Sequence, residues 1–224
     1  IEKLFPHTVA VGRKFGVMVV IEEDQQFQVA TFRAEADYRD GRRPETIVFA
    51  DARADAERRD FTVNGLFFDP IAEQLHDWVG GEADLRAKVI RTIGSPEERF
   101  AEDHLRLLRA VRFAAQLNFE IEPATFAALK TNAAKIKRIS AERVRDELIK
   151  LFAPPTDWNA GLQRGPQQAS QRAGSEFSTP AARGLELLRS SDLLEPILPE
   201  IAATVTCDPS PVFHPESTVL QHLA

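Results

Sequence analysis

The pattern of apolar residues changes once along the chain, near Gly94, and that change limits the fold more than any other feature. Before it, apolar residues come in short runs. Gly16-Val-Met-Val-Val-Ile21 is rich in branched side chains, Gln28-Val-Ala-Thr-Phe-Arg33 alternates, and the polar stretch Glu22–Gln26 lies between them, which predicts an antiparallel hairpin. Asp40-Gly41 with Pro44 marks a loop, and Thr62–Phe68 fits strand and helix equally. After Gly94 the spacing is helical. Ser95-Pro96 followed by Glu97 and Glu98 predicts a helix start. A second helix is expected from Ala101 to Leu117, with Leu105, Leu108, Val111 and Ala115 on its apolar face. Further helices are expected over 123–132, 140–152 with Ser140 as N-cap, and 181–190. β-rich first and α-rich afterwards is the pattern of an α+β chain.

This divides the sequence into residues 1–94, a helical stretch 95–153, a Pro-, Gln-, Gly- and Ser-rich linker or insertion at 154–180, and a second helical stretch 181–224. No run approaches the roughly 18 apolar residues of a membrane span, so no membrane partner is expected. Ile1–His7 lacks a basic segment followed by an apolar run and does not read as a signal peptide. The absence of an initiator Met reads as an N-terminal truncation. The single cysteine, Cys207, favours a reducing, cytoplasmic setting. The formal net charge is −6, unlike a protein that coats nucleic acid, so any RNA contact must use local basic surfaces. Arg33, Arg39, Arg42 and Arg43 form one such group. Arg106, Arg109 and Arg112 form a second, and Lys135, Lys137, Arg138, Arg143 and Arg145 a third. Each by itself also fits a plain solvated face.

Two segments carry the most chemistry. In Glu102-Asp-His-Leu-Arg-Leu-Leu-Arg109, the residues Asp103 and Arg106 are three apart and on one helix would lie side by side. An ionised Asp only accepts hydrogen bonds and an Arg only donates them. Together they complement an amino group beside a ring-nitrogen acceptor, the edge shown by adenine and cytosine but not by guanine or uracil. The bland alternative is a surface ion pair. In Arg58-Arg-Asp-Phe-Thr-Val-Asn64, the paired arginines suit phosphate oxygens, whereas Asp60 could simply cap a helix. Arg109 and Arg112 continue the basic side of the 101–117 segment. Trp78 reads as a packing residue rather than a base-stacking platform. His214 and His222 read as scattered surface histidines rather than metal ligands.

These segments, with Val11-Gly-Arg-Lys-Phe-Gly-Val17, Val29-Ala-Thr-Phe-Arg33, Asp40-Gly-Arg-Arg-Pro44, Asp77-Trp-Val-Gly-Gly81 and Ile139–Glu147, occur in an order and spacing that resembles the class II CCA-adding tRNA nucleotidyltransferases and the related bacterial poly(A) polymerases. The resemblance implies a polymerase-beta-like nucleotidyltransferase head over 1–94, incomplete and lacking its first strands. It further implies an all-helical neck over 95–153 that carries the nucleotide-selecting helix, and the start of a helical body at 181–224. The implied function is template-independent addition of AMP or CMP to RNA 3′ ends from ATP or CTP, with release of pyrophosphate. That covers CCA-end synthesis or repair of tRNA, or polyadenylation, in a bacterial cytoplasm. Implied nucleotide-binding residues are Arg58, Arg59, Asp60, Asn64, Asp103, Arg106, Arg109 and Arg112. Arg33, Arg42 and Arg43 belong to an RNA-contacting or flexible loop.

The family places Mg²⁺ on a pair of aspartates that the resemblance puts upstream of Ile1, so no metal ligand and no catalytic residue is expected within this sequence, and the fragment alone is expected to be inactive. A third family carboxylate falls at Gln28, a neutral and much weaker ligand. That departure supports the alternative of a non-catalytic nucleotide- or RNA-binding relative.

Overall fold

The structure is a computed structural model. It describes residues 1–12, 16–23, 25–33, 49–153 and 179–204. Arg39, Asp40–Pro44 with Arg42 and Arg43, Cys207, His214, His222 and the 154–178 part of the expected linker lie outside the described residues. The chain divides into two compact units: residues 1–59 with 65–79, and residues 60–64 with 80–224.

The first unit holds an antiparallel sheet in the order β1-β2-β3: β1 (Thr8–Gly12), β2 (Val17–Glu22) and β3 (Gln25–Ala30). β2 and β3 are the expected hairpin, with Val17 opposite Ala30 and Glu22 opposite Gln25. The turn is tighter than the polar run suggested, because Glu23 takes a positive φ of 48° and β3 already begins at Gln25. Val20 is buried, while every residue of β3 is exposed. Helix α1 (Ala52–Glu57) is capped by Asp51, whose carboxylate accepts the Ala54 N–H at 2.8 Å. The ambiguous segment 62–68 is a 3-10 turn (Thr62–Asn64) followed by strand β4 (Leu66–Asp69), which pairs with β5 (Gln74–Asp77). Phe67 packs edge-on against Phe32 and tilted against Trp78, and Trp78 stacks on His76. Trp78 is thus a packing residue.

The second unit contains the large apolar core. Helix α2 (Gly81–Ala87) starts after Gly80, which sits at φ 82° with nothing within 4 Å of where a Cβ would stand. Glycine is needed at this position for backbone conformation rather than for close packing. α3 (Pro96–Glu102) begins as expected, with Ser95 accepting the Glu98 N–H and Pro96 in the first turn. α4 (Leu105–Leu117) buries Leu105, Leu107, Leu108, Ala110, Val111, Ala114 and Ala115, and ends at Asn118, which takes the left-handed conformation. β6 (Val89–Ile90) and β7 (Glu120–Ile121) pair in parallel.

α5 (Pro123–Asn132), a 3-10 segment (Ala133–Arg138), α6 (Ala141–Phe152), α7 (Pro180–Ser190) and two short helices, Leu194–Ile197 and Pro199–Thr204, complete the unit. Ser140 occupies the N-cap position of α6 without making a side-chain cap bond. A single cluster running from Phe61 and Ile90 through α4, α5 and Leu151 to Leu185, Leu188, Leu193 and Leu194 holds these helices together. Each large side chain so buried contributes about 1.5–3 kcal/mol.

The expected helix from Ala101 to Leu117 does not exist as one element. It breaks at Asp103, whose backbone is extended (φ −146°, ψ 106°). The Asp103 carboxylate accepts the Leu105 N–H at 3.0 Å, and His104 Nδ1 lies 2.6 Å from the Phe100 carbonyl. A short acidic side chain that bonds its own backbone two residues on offers an alternative to the helical ladder, and in this position it prevails.

Candidate nucleotide-binding site

In the second unit the expected residues assemble around α4. Asp103 is not on one helix face with Arg106. It sits in the break just before α4, and a backbone bond from the Arg106 N–H to the Asp103 carbonyl (3.0 Å) links the two. Each side chain is braced by an opposite charge. Arg143 of α6 donates to Asp103 Oδ2 at 2.6 Å. Arg106 donates to Glu102 and to the Arg99 carbonyl, the latter at 3.0 Å. The result is an acceptor and a donor one turn apart, with restricted rotamers.

A second chain of charges runs beside them. Asp60 is buried. Its Oδ1 accepts the Phe61 N–H and the Asn64 side-chain amide, both at 2.9 Å, and its Oδ2 accepts Arg109 Nη2 at 2.6 Å. Asp60 therefore orients the Arg109 and Asn64 side chains and also satisfies the Phe61 N–H of the turn. Arg109 also lies 3.9 Å from Glu147 of α6. Glu147 in turn pairs with Arg112 at 2.6 Å and with Lys150 at 2.9 Å, and the Arg109 and Arg112 guanidiniums cover the Phe113 ring. Burial alone would push the Glu147 carboxyl upward, but Lys150 and Arg112 outweigh it and hold the pKa below the ordinary carboxylate value. Arg143 and Glu147 of α6 thus meet Asp103 and Arg112, and Arg106 and Arg112 are buried rather than part of a solvated face.

In the first unit Arg58 and Arg59 converge on Asp55, a residue that the sequence reading passed over. Asp55 Oδ1 accepts the Arg33 N–H at 3.0 Å and Arg58 Nε at 2.9 Å, while Oδ2 accepts Arg59 Nε and Nη2 at 3.1 and 3.0 Å. Arg58 Nε also donates to the Arg33 carbonyl at 2.8 Å, and Arg59 lies over the Phe67 ring. Burial would raise the Asp55 pKa, yet these donors hold it below its ordinary value. The signal in the sequence was the spacing: an acid three and four residues before two arginines in a helical turn. Arg33 also bridges Phe49 across the 34–48 segment. Gln28 stands exposed on β3 opposite Val19. Among the described residues no group of three or more His, Cys, Asp or Glu side chains is placed to hold a metal ion. No described helix is long and apolar enough to cross a membrane.

A strand-rich unit followed by a helical unit in which acid–arginine pairs cluster on α4 defines the class. Comparison with known proteins then makes it specific. Residues 1–91 match the poly A polymerase head domain, and residues 118–160 match the family described as a probable RNA and SrmB- binding site of polymerase A. The CCA-adding enzyme of Staphylococcus aureus is 46% identical over 153 residues, which are 68% of this chain and 38% of that protein. Among solved structures, the Bacillus stearothermophilus CCA-adding enzyme in complex with CTP matches at a TM-score of 0.66 and 33% identity, over 85% of this chain and 40% of that one. A tRNA nucleotidyltransferase complexed with a primer tRNA and an incoming ATP analog matches at a TM-score of 0.61 and 25% identity, over 89% of this chain and 51% of that one. The chain belongs to the family of CCA-adding enzymes and poly(A) polymerases. It spans well under half the length of the curated relatives it matches.

Proposed function

We propose that this protein is a template-independent RNA nucleotidyltransferase. It adds AMP or CMP to an RNA 3′ end, with tRNA CCA-end synthesis or repair as the leading form and polyadenylation as the other. The 3′-hydroxyl bonds to the α-phosphorus of ATP or CTP, and the bond to pyrophosphate breaks. The observation that carries the proposal is the braced pair at the start of α4. Asp103 accepts the exocyclic amino group of adenine or cytosine, and Arg106 donates to the adjacent ring nitrogen. Guanine and uracil present a carbonyl and an N–H instead, and each buried mismatch costs roughly 1–3 kcal/mol. Asp60 sets Arg109 and Asn64, and Glu147 sets Arg112, for contacts to the rest of the nucleotide. For the first unit we assign Arg58 and Arg59 to phosphate, and Arg33, Arg42 and Arg43 to a loop that contacts RNA. Kinship with bacterial CCA-adding enzymes supports tRNA as the acceptor and a bacterial, cytoplasmic setting.

The resemblance calls for Mg²⁺. Asp60, Asp103 and Glu147 are each engaged by an arginine, and among the described residues no group of three or more His, Cys, Asp or Glu side chains is placed to hold a metal, so no step of the reaction is assigned to a metal on them.

A non-catalytic nucleotide-binding relative is the second reading, favoured by the neutral Gln28. Incubating the intact protein with Mg²⁺, labelled ATP or CTP and a tRNA lacking its 3′ end separates the two. The first reading predicts extension with ATP or CTP only, whereas nucleotide binding without extension establishes the second.

A further inference from the structure

We propose that Asp55 is a positioning residue for triphosphate recognition, one buried carboxylate that sets the guanidiniums of both Arg58 and Arg59. The proposal rests on the reading of those arginines as phosphate contacts. The Asp55 side chain is 3% exposed, whereas Arg58 and Arg59 are 23% and 37% exposed. The anion therefore lies beneath and the cations open outward, so a ligand arriving from solvent meets guanidinium rather than carboxylate. Two cations against one anion leave the cluster positive. One oxygen serves each arginine, which separates the two forks and fixes their spacing. Arg33 adds a backbone N–H to the same carboxylate and a carbonyl to Arg58, tying the Arg33–Phe49 bridge to the cluster. A single arginine would be enough to neutralise a buried Asp. The second, held on the other carboxylate oxygen and over the Phe67 ring, adds a second fork, and two forks match a polyanion. Holding both in place before binding removes the ordering cost from the binding step.

Charge and position predict opposite effects. Asp55→Asn removes the negative charge while keeping the shape. If Asp55 only neutralised the arginines, phosphate binding would tighten. If it positions them, binding weakens. Calorimetric titration of the protein with ATP and with tripolyphosphate should show Asp55→Asn and Asp55→Glu both weaker than wild type by about tenfold, the latter because it keeps the charge but shifts it by one methylene. Wild-type affinity or tighter in both variants overturns the positioning role and leaves the phosphate reading intact. Failure of the wild type to bind either probe overturns the phosphate reading, and the positioning role falls with it. Should the variants not fold, nitrogen-15 spectra of the wild type decide the matter. Arg58 and Arg59 Nε–H signals protected from solvent exchange in the free protein support the proposal, and exchange-averaged signals overturn it.

Discussion

Glu147 shows what single residues contribute in this protein. Its side chain is 4% exposed and that of its partner Arg112 is 10% exposed, so removing either one strands a buried charge. Glu147→Ala should cost about 3–5 kcal/mol, read as a lower denaturant midpoint. An unchanged midpoint would show that the pair is solvated. The pH dependence follows from the same contacts. The folded-state pKa of Glu147 lies below the ordinary value of 4.5. The pair's stabilisation is therefore fully present above about that pH and is lost as the pH falls through the lower folded value. Asp55 behaves alike. The stability gap between wild type and Glu147→Gln, which keeps the side-chain volume but lacks the titrating group, should thus close as the pH falls through the folded value, and acid unfolding followed by circular dichroism should begin at a higher pH in the variant than in wild type. The sequence announced the arginines 58, 59, 106, 109 and 112, because Arg is a strong marker of anion contacts. It did not announce the partners that lie far along the chain. Glu147 lies 35 residues from Arg112, and Asp103 lies 40 from Arg143. Only a packed α4–α6 pair brings these charges together.

At the scale of elements, helical spacing located α4, α5, α6 and α7 well, since an apolar stripe must face a core. It failed at Asp103, because periodicity counts apolar residues and not the backbone bonds an aspartate can steal. Asp-His after Glu102 was the available hint: two poor helix formers ahead of a strong apolar run. Close helix packing was equally hidden. A Cβ on Gly184 of α7 would stand 2.7 Å from Leu151 Cδ1 of α6. Gly184→Ala gains about 1 kcal/mol of helix propensity but incurs an overpacking cost of about 1–3 kcal/mol. The net should be destabilisation. Leu151→Val in the same chain should recover part of it, and additive losses in a double-mutant cycle would contradict the contact.

At the scale of the whole molecule, the large apolar cluster belongs to the second unit, while among the described residues the first buries few large side chains and exposes Phe27, Phe49 and Phe68. Local opening costs least where few apolar contacts must break. Amides of β1–β3 should exchange with solvent well before those of α4 and α6, and uniform protection would contradict the division. The switch near Gly94 revealed an α+β chain. It could not reveal that residues 60–64 leave the first unit to join the second, since a five-residue excursion has no periodicity of its own. The base-edge reading proposed for Asp103 and Arg106 dictates which nucleotides bind. Titrating the protein calorimetrically with ATP, CTP, GTP and UTP tests it most directly. ATP and CTP should bind at least about tenfold more tightly than GTP and UTP, with the preference lost in Asp103→Ala. Equal affinity for ATP and GTP in the wild type would contradict it.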